Sequence, residues 1–211
     1  MFLKLSIKII ILVILTLIFS CKQKDTTNVK LRLEDSLIVL NLMSLYENEV
    51  NSTNQFILYA NEAKKNNLSS LGTLFITISQ SDRIITETIS ETIKSYKQYP
   101  DAKVSPVIIK SSSDNLKTAL EFKKKQLEQL QQFIDATGQK FFTVMNTYKN
   151  YIVIIKNQIN LLEEANQDID KWLSQIKVLY LCPNCGFLTK ELNINNCPLC
   201  NTPKEKFSDI H

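Results

Sequence analysis

The sequence predicts a mainly α-helical protein, in which a four-helix bundle precedes a small metal-binding domain built around four cysteines. Helices are predicted because the 211 residues include only three glycines and five prolines, and because four segments carry apolar side chains spaced three to four apart. Cysteine spacing near the C-terminus predicts the small domain. We expect a signal segment at 1–20, a tether at 21–33, the bundle at 34–176 and the metal domain at 178–211.

The N-terminal segment has the features of an exported, lipid-anchored protein. Lys4 and Lys8 precede an apolar run, 9–19, that is too short to cross a bilayer as a helix, since a span needs about 20 residues. The run leads into Ser20-Cys21, which resembles the lipobox of bacterial lipoproteins. Cys21 is therefore expected to be acylated and to hold the chain on the periplasmic or cell-surface side of a bacterial membrane. The alternative is an uncleaved anchor with an incidental cysteine.

The helical region divides into two hairpins. All five prolines lie outside two long blocks, and proline breaks helices. The first block, about 33–99, turns near Asn66-Asn67, and the second, about 114–176, turns at Thr137-Gly138. A proline-containing link joins the blocks and ends in a serine cluster suited to a helix N-cap. Four amphipathic helices connected in this way predict a four-helix bundle with one crossover.

One ionisable residue interrupts each apolar stripe near its middle. These residues are Glu49, Asp82, Lys123 and Lys149. A charge in an apolar seam is unfavourable unless it is paired, and two acids and two bases sum to zero. We therefore expect a buried set of paired charges. The alternative is that a helix is rotated and presents its charge to solvent.

Four cysteines near the C-terminus have the spacing of a metal site. Cys182 and Cys185 form one C-x2-C pair, and Cys197 and Cys200 form a second pair after eleven intervening residues. Each pair is expected to form a tight knuckle, followed by a residue that tolerates the left-handed conformation. Four thiolates suit tetrahedral iron or zinc. Disulfide pairing is the alternative, because export would expose these thiols to oxidising conditions.

The C-terminal tail resembles the rubredoxin-like module of rubrerythrins, through Tyr180-Leu-Cys-Pro-Asn-Cys-Gly and Cys197-Pro-Leu-Cys-Asn-Thr-Pro-Lys. The resemblance implies a ferritin-like bundle, which in this family holds two irons with carboxylates and E-x-x-H pairs. It also implies a single iron on the four cysteines, and a homodimer is a common assembly of the family. The family's ligand positions are matched by Glu49 in the first helix, Asp82 and Ile85 in the second, Lys123 and Gln126 in the third, and Lys149 and Ile152 in the fourth.

This ligand set argues against the family's peroxide-reducing chemistry, since only two acids and no histidine remain. The single histidine of the chain is His211, and the net charge of +4 is too small to indicate nucleic-acid binding. We expect a membrane-tethered electron carrier that binds one iron, has no di-iron centre and exchanges electrons with an unidentified protein. The alternatives are a non-redox interaction protein with structural zinc and a peroxidase with a rebuilt di-metal site.

Overall fold

A computed structural model describes residues 32–138 and 141–211. The signal segment, Cys21 and nearly all of the tether lie outside the described residues. The described part of the chain contains no helix that is both long enough and apolar enough to span a membrane. Its α-helices are α1 (Leu33–Lys65), α2 (Ser69–Ser95), α3 (Ser112–Ala136), α4 (Phe142–Gln167) and the short α5 (Ile169–Gln175).

The helix boundaries follow local sequence signals. Helix α1 ends at Lys65. Two residues later, in the turn to α2, Asn67 takes a positive φ of 60°. The hydroxyl of Ser111 accepts a hydrogen bond from the backbone N–H of Asp114 and so caps α3. The second block is broken near Asp168, whose side chain caps α5. The two hairpins thus carry one additional short helix before the cysteine module.

The link between the hairpins is anchored by side-chain amides. Asn51 of α1 donates to the carbonyl of Lys103 (3.0 Å) and accepts from the N–H of Ser105 (2.7 Å). Asn115 makes the same kind of paired contact with the backbone of Lys110. These bonds satisfy backbone groups in a segment that lacks regular secondary structure, and they fix the crossover against α1 and α3.

The C-terminal module is a three-stranded antiparallel sheet with the strand order β2-β1-β3, in which β1 is Leu179–Leu181, β2 is Leu188–Thr189 and β3 is Ser208–Ile210. Tyr180 pairs with Thr189 on one side and with Asp209 on the other. Leu179, Leu181 and Leu188 are buried in the same apolar cluster as side chains of α1, α2, α3 and α4. The module therefore completes the core of the bundle.

The predicted position of Lys149 on the buried face of the fourth helix is wrong. Lys149 and Phe142 are exposed, although Met145, Ile155 and Ile159 of the apolar stripe predicted for this helix are buried. The buried face of α4 instead carries Tyr148, Tyr151 and Gln158 together with its aliphatic residues. Tyr151 buries a large apolar ring while its hydroxyl donates to Glu49, which shows why a tyrosine can belong to the core.

Candidate metal centre

The four cysteines of the C-terminal module converge on one point. Their sulfur atoms all lie within 4.8 Å of one another, with Cys182 Sγ 3.5 Å from Cys200 Sγ and Cys185 Sγ 3.6 Å from Cys197 Sγ. A disulfide needs an S–S distance of about 2.05 Å, and all four cysteines are free thiols. Sulfurs placed about 2.3 Å from one tetrahedral metal lie about 3.8 Å apart. The sulfur arrangement therefore fits a single tetrahedral ion.

Two matching knuckles build this arrangement. In the first, the N–H of Gly186 donates to the carbonyl of Cys182 (3.0 Å), and in the second the N–H of Asn201 donates to the carbonyl of Cys197 (2.9 Å). Gly186 has a φ of 84° and Asn201 a φ of 60°. Both knuckles thus place a left-handed residue directly after their second cysteine, as the sequence predicts.

Burial and hydrogen bonding act in opposite directions on the pKa values of the cysteine thiols, with burial prevailing at Cys185 and Cys197 and hydrogen bonding at Cys200. Burial raises the pKa of the Cys185 thiol, and a hydrogen bond from the backbone N–H of Phe187 opposes that effect. Burial also acts to raise the pKa of Cys200, but hydrogen bonds from the side chain and backbone of Thr202 outweigh it and lower the pKa to about 6. The Thr202 hydroxyl lies 3.1 Å from the Cys200 sulfur. These donors stabilise negative charge on the cluster.

A second polar cluster lies at the centre of the bundle. Glu49, Asp82 and Lys123 are each fully buried, as the interrupted stripes predict. Lys123 Nζ donates to both carboxylate oxygens of Asp82 at 2.8 Å and lies 3.9 Å from Glu49 Oε2. Its ammonium group is also 5.4 Å from the centre of the Phe56 ring, within the range of a cation–π contact. Lys149 is absent from this cluster because it faces solvent.

Uncharged groups bind the two carboxyl groups of the cluster, and of these groups the sequence interpretation named only Gln126. The hydroxyl of Tyr151 donates to Glu49 Oε1, and Gln126 Nε2 donates to the same oxygen at 2.7 Å. Gln158 Nε2 donates to Asp82 Oδ1 at 2.8 Å. Glu49 Oε2 lacks a hydrogen-bond partner. A stripe of tyrosines spaced three apart, Tyr148 and Tyr151, is the sequence signal that identifies this face.

Because Lys149 lies at the surface, the cluster contains two carboxyl groups and only one ammonium. Protonation of the Glu49 carboxyl makes the cluster electrically neutral. Burial raises the pKa of the Glu49 carboxyl from an ordinary value near 4.5 to about 8, against the opposing influence of Lys123. Glu49 is therefore mainly neutral at pH 7. One carboxylate, Asp82, then faces one ammonium, Lys123, and the buried cluster carries no net charge.

The bundle cluster connects to the cysteine module through Ser81. Its hydroxyl donates to the carbonyl of Gly186 (2.6 Å) and accepts from Gln158 Nε2 (2.9 Å), the amide that also donates to Asp82. Gly186 directly follows Cys185, so a continuous chain of hydrogen bonds runs from the buried ion pair to the first knuckle. Among residues 32–138 and 141–211, only the four cysteines form a group of three or more ligands able to hold one metal ion.

Comparisons with known proteins agree with this geometry. Residues 180–208 match the family model for the rubredoxin-like domain of rubrerythrin. The chain is 27% identical over 172 residues to rubrerythrin-2 of Clostridium acetobutylicum, an alignment that covers 79% of this chain and 92% of the relative.

Similar solved structures extend the likeness to the bundle. They include nigerythrin in its fully reduced, all-ferrous state, with a TM-score of 0.74 and 17% identity, covering 82% of this chain and 86% of that chain. A bacterioferritin of Rhodobacter capsulatus has a TM-score of 0.61 and 14% identity, covering 64% of this chain and 87% of that chain. Fold and site define a class in which a ferritin-like bundle precedes a rubredoxin-like cysteine module. Together with the sequence matches, they make the chain similar to rubrerythrins over most of its length, with the family match itself confined to residues 180–208.

Proposed function

We propose that this protein is a membrane-tethered electron carrier, which holds one iron on Cys182, Cys185, Cys197 and Cys200 and no di-iron centre in the bundle. The observation that carries the proposal is the pair of matched knuckles, whose four sulfurs fit one tetrahedral ion while backbone and Thr202 hydrogen bonds favour thiolates. An iron held by four thiolates supplies a one-electron couple, and hydrogen bonds to the sulfurs tune its potential.

Chemistry at the bundle centre supports the second part of the proposal. Two ferrous ions need several carboxylate or imidazole ligands, and this cluster offers only Glu49 and Asp82, the first of them mainly protonated at pH 7. The ammonium of Lys123 lies between these two carboxyl groups and would repel a cation. The residues present therefore do not fit a di-iron centre, and we assign the cluster a structural role.

The polar cluster is linked to the cysteine module, so the bundle can support that module without holding a metal. The Ser81–Gly186 bond holds the first knuckle against α2, and the buried leucines of β1 and β2 hold the sheet in the core. The bundle thereby supports the cysteine site. Attachment through Cys21 would keep this carrier at a membrane surface, with an unidentified protein as electron partner and a homodimer as one expected assembly.

An electrochemical titration tests the electron-carrier proposal. The full-length protein, purified with its iron, should show a visible spectrum that bleaches on reduction and returns on oxidation, with a slope corresponding to one electron. The alternative function, an interaction protein with structural zinc, predicts a colourless protein with no titratable couple. Nigerythrin has been solved in an all-ferrous state, which supports iron as the metal of this class.

A further inference from the structure

A cavity of about 180 Å³ lies where the cysteine module meets the bundle. Its floor is formed by the buried side chains Ile85, Ile89, Tyr151 and Ile154, which come from α2 and α4. One wall is formed by Cys185 and Cys200, one cysteine from each knuckle. The volume corresponds to about a dozen water-sized spheres, so it admits a ring-shaped ligand rather than a single water or ion.

The rim of this cavity is polar and exposed. Thr88, Asn150 and Asn184 lie at the surface, and Thr147 is half-buried. They offer hydroxyl and amide groups, which donate and accept hydrogen bonds. Among the lining residues there is no aspartate, glutamate, lysine or arginine. An apolar floor with a few hydrogen-bonding groups, and with no charged group besides the proposed thiolates of Cys185 and Cys200, favours a neutral ligand with polar substituents.

The position of the cavity adds a requirement on the ligand's chemistry. A molecule on this floor would lie against Cys185 and Cys200, two of the four cysteines proposed to hold iron. Contact with these two cysteines favours a ligand that exchanges electrons with the metal they would hold. A quinone meets each condition, since it is uncharged, flat and redox-active and its two carbonyl oxygens accept hydrogen bonds.

We propose that this cavity, hereafter the knuckle cavity, binds the ring of a quinone that exchanges electrons with the cysteine-bound iron. The proposal rests on the proposed function, because the electron comes from that metal site. Iron held by the four cysteines would supply one electron per chain as iron(II) became iron(III), so two chains would reduce one quinone to the quinol, and the quinone oxygens would take up two protons from solvent. A tether to a membrane surface would keep the protein close to the phase that contains lipid-soluble quinones.

Binding is tested first without electron transfer. The full-length protein loaded with zinc is titrated with menadione, a naphthoquinone without a lipid tail, and followed by amide NMR. We expect saturable shifts at Thr88, Thr147, Asn150 and Asn184. Asn150→Trp, at an exposed rim position, should fill the knuckle cavity and weaken binding at least tenfold, whereas Lys149→Trp, on the adjacent exposed residue outside it, should leave binding unchanged. Equal affinity in the two variants, or shifts elsewhere, would overturn the proposal.

Electron transfer is tested second with the iron-loaded protein. Reoxidation of the iron(II) protein by menadione should saturate with quinone concentration, and Asn150→Trp should slow it at least tenfold while Lys149→Trp does not. A rate that rises linearly with menadione and is equal in both variants would contradict a bound quinone. A protein that carries iron and titrates reversibly but fails these tests retains the proposed function and loses only this inference.

Discussion

Lys123 Nζ lies 2.8 Å from each carboxylate oxygen of Asp82, and neither side chain is accessible to water. Asp82 also accepts hydrogen bonds from Ser52 (2.5 Å) and Gln158 (2.8 Å). By the resemblance to rubrerythrins, Lys123 and Asp82 stand at ligand positions of the family's di-iron site. In this chain the ammonium of Lys123 balances the buried carboxylate of Asp82.

Removing that ammonium should destabilise the fold strongly. Lys123→Met leaves the Asp82 carboxylate buried without its counter-charge, which typically costs about 3–5 kcal/mol. Lys149→Met is the matched control, because Lys149 is exposed, and it should change the free energy of unfolding by less than about 0.5 kcal/mol. Urea denaturation of both variants measures the difference. Adding Asp82→Asn to Lys123→Met should recover much of the loss, and similar stability for the two single variants would contradict the buried pair.

Protonation of Glu49 should make stability depend on pH. Its pKa is about 8 in the folded chain and near 4.5 when unfolded, so the native state binds more protons between these values. The stabilisation is fully present below pH 4.5 and is lost as pH rises through 8, with a slope of at most about 1.4 kcal/mol per pH unit. Glu49→Gln, which cannot titrate, should lack this slope when unfolding free energies are compared from pH 5 to 9. Parallel curves for the two proteins would show that Glu49 ionises normally.

Much of the site could be predicted from the sequence because its determinants are local. The spacing of Cys182, Cys185, Cys197 and Cys200 and the left-handed residues after each knuckle follow from short segments. Burial of Glu49, Asp82 and Lys123 followed from the 3–4 period, since each of those helices has a clear aliphatic stripe. Helix α4 also buries aliphatic residues, but tyrosines and Gln158 share its buried face, and counting them as polar placed Lys149 on that face.

Contacts between the module and the bundle could not be predicted, since they join distant segments. Ser81 and Gly186 are 105 residues apart, and nothing in either local sequence indicates the other. Likewise, the three buried leucines of β1 and β2 predict an apolar sheet face without indicating that it lies on the bundle. The knuckle cavity could not be predicted for the same reason, because its floor comes from α2 and α4 and its cysteine wall comes from the C-terminal module.

Docking of the first knuckle should depend on the absence of a side chain at Gly186. An added Cβ would lie 3.0 Å from Ser81 Oγ and 3.1 Å from the Ser81 carbonyl, and the φ of 84° adds strain of about 1–2 kcal/mol for other residues. Gly186→Ala should therefore release metal to a chelator faster. Asn201→Gly, at the equivalent place in the second knuckle, keeps the left-handed geometry and should release metal at the parent rate. Unchanged release from Gly186→Ala would contradict the close contact.

Lipid attachment should depend on Cys21. The short apolar run before Ser20-Cys21 motivates acylation at this residue. Cys21→Ser should leave the protein unprocessed or release it from membranes, as measured by membrane fractionation and the mass of the chain. Cys197→Ala is a suitable control, since it removes a different cysteine and should leave processing intact. A Cys21→Ser protein that is processed and membrane-bound like the parent would exclude the lipobox interpretation.

Metal content per chain tests the central claim most directly. The full-length protein, produced with ample iron, incubated with excess ferrous ion under anaerobic conditions and then desalted, should contain one iron per chain. Cys197→Ala should contain none, because losing one thiolate removes most of the affinity of a closed tetrahedral site, whose metal binding contributes on the order of 10 kcal/mol. Three irons per chain in the parent, or two retained by Cys197→Ala, would reveal a di-iron centre in the bundle, and zinc in place of iron would contradict the electron carrier.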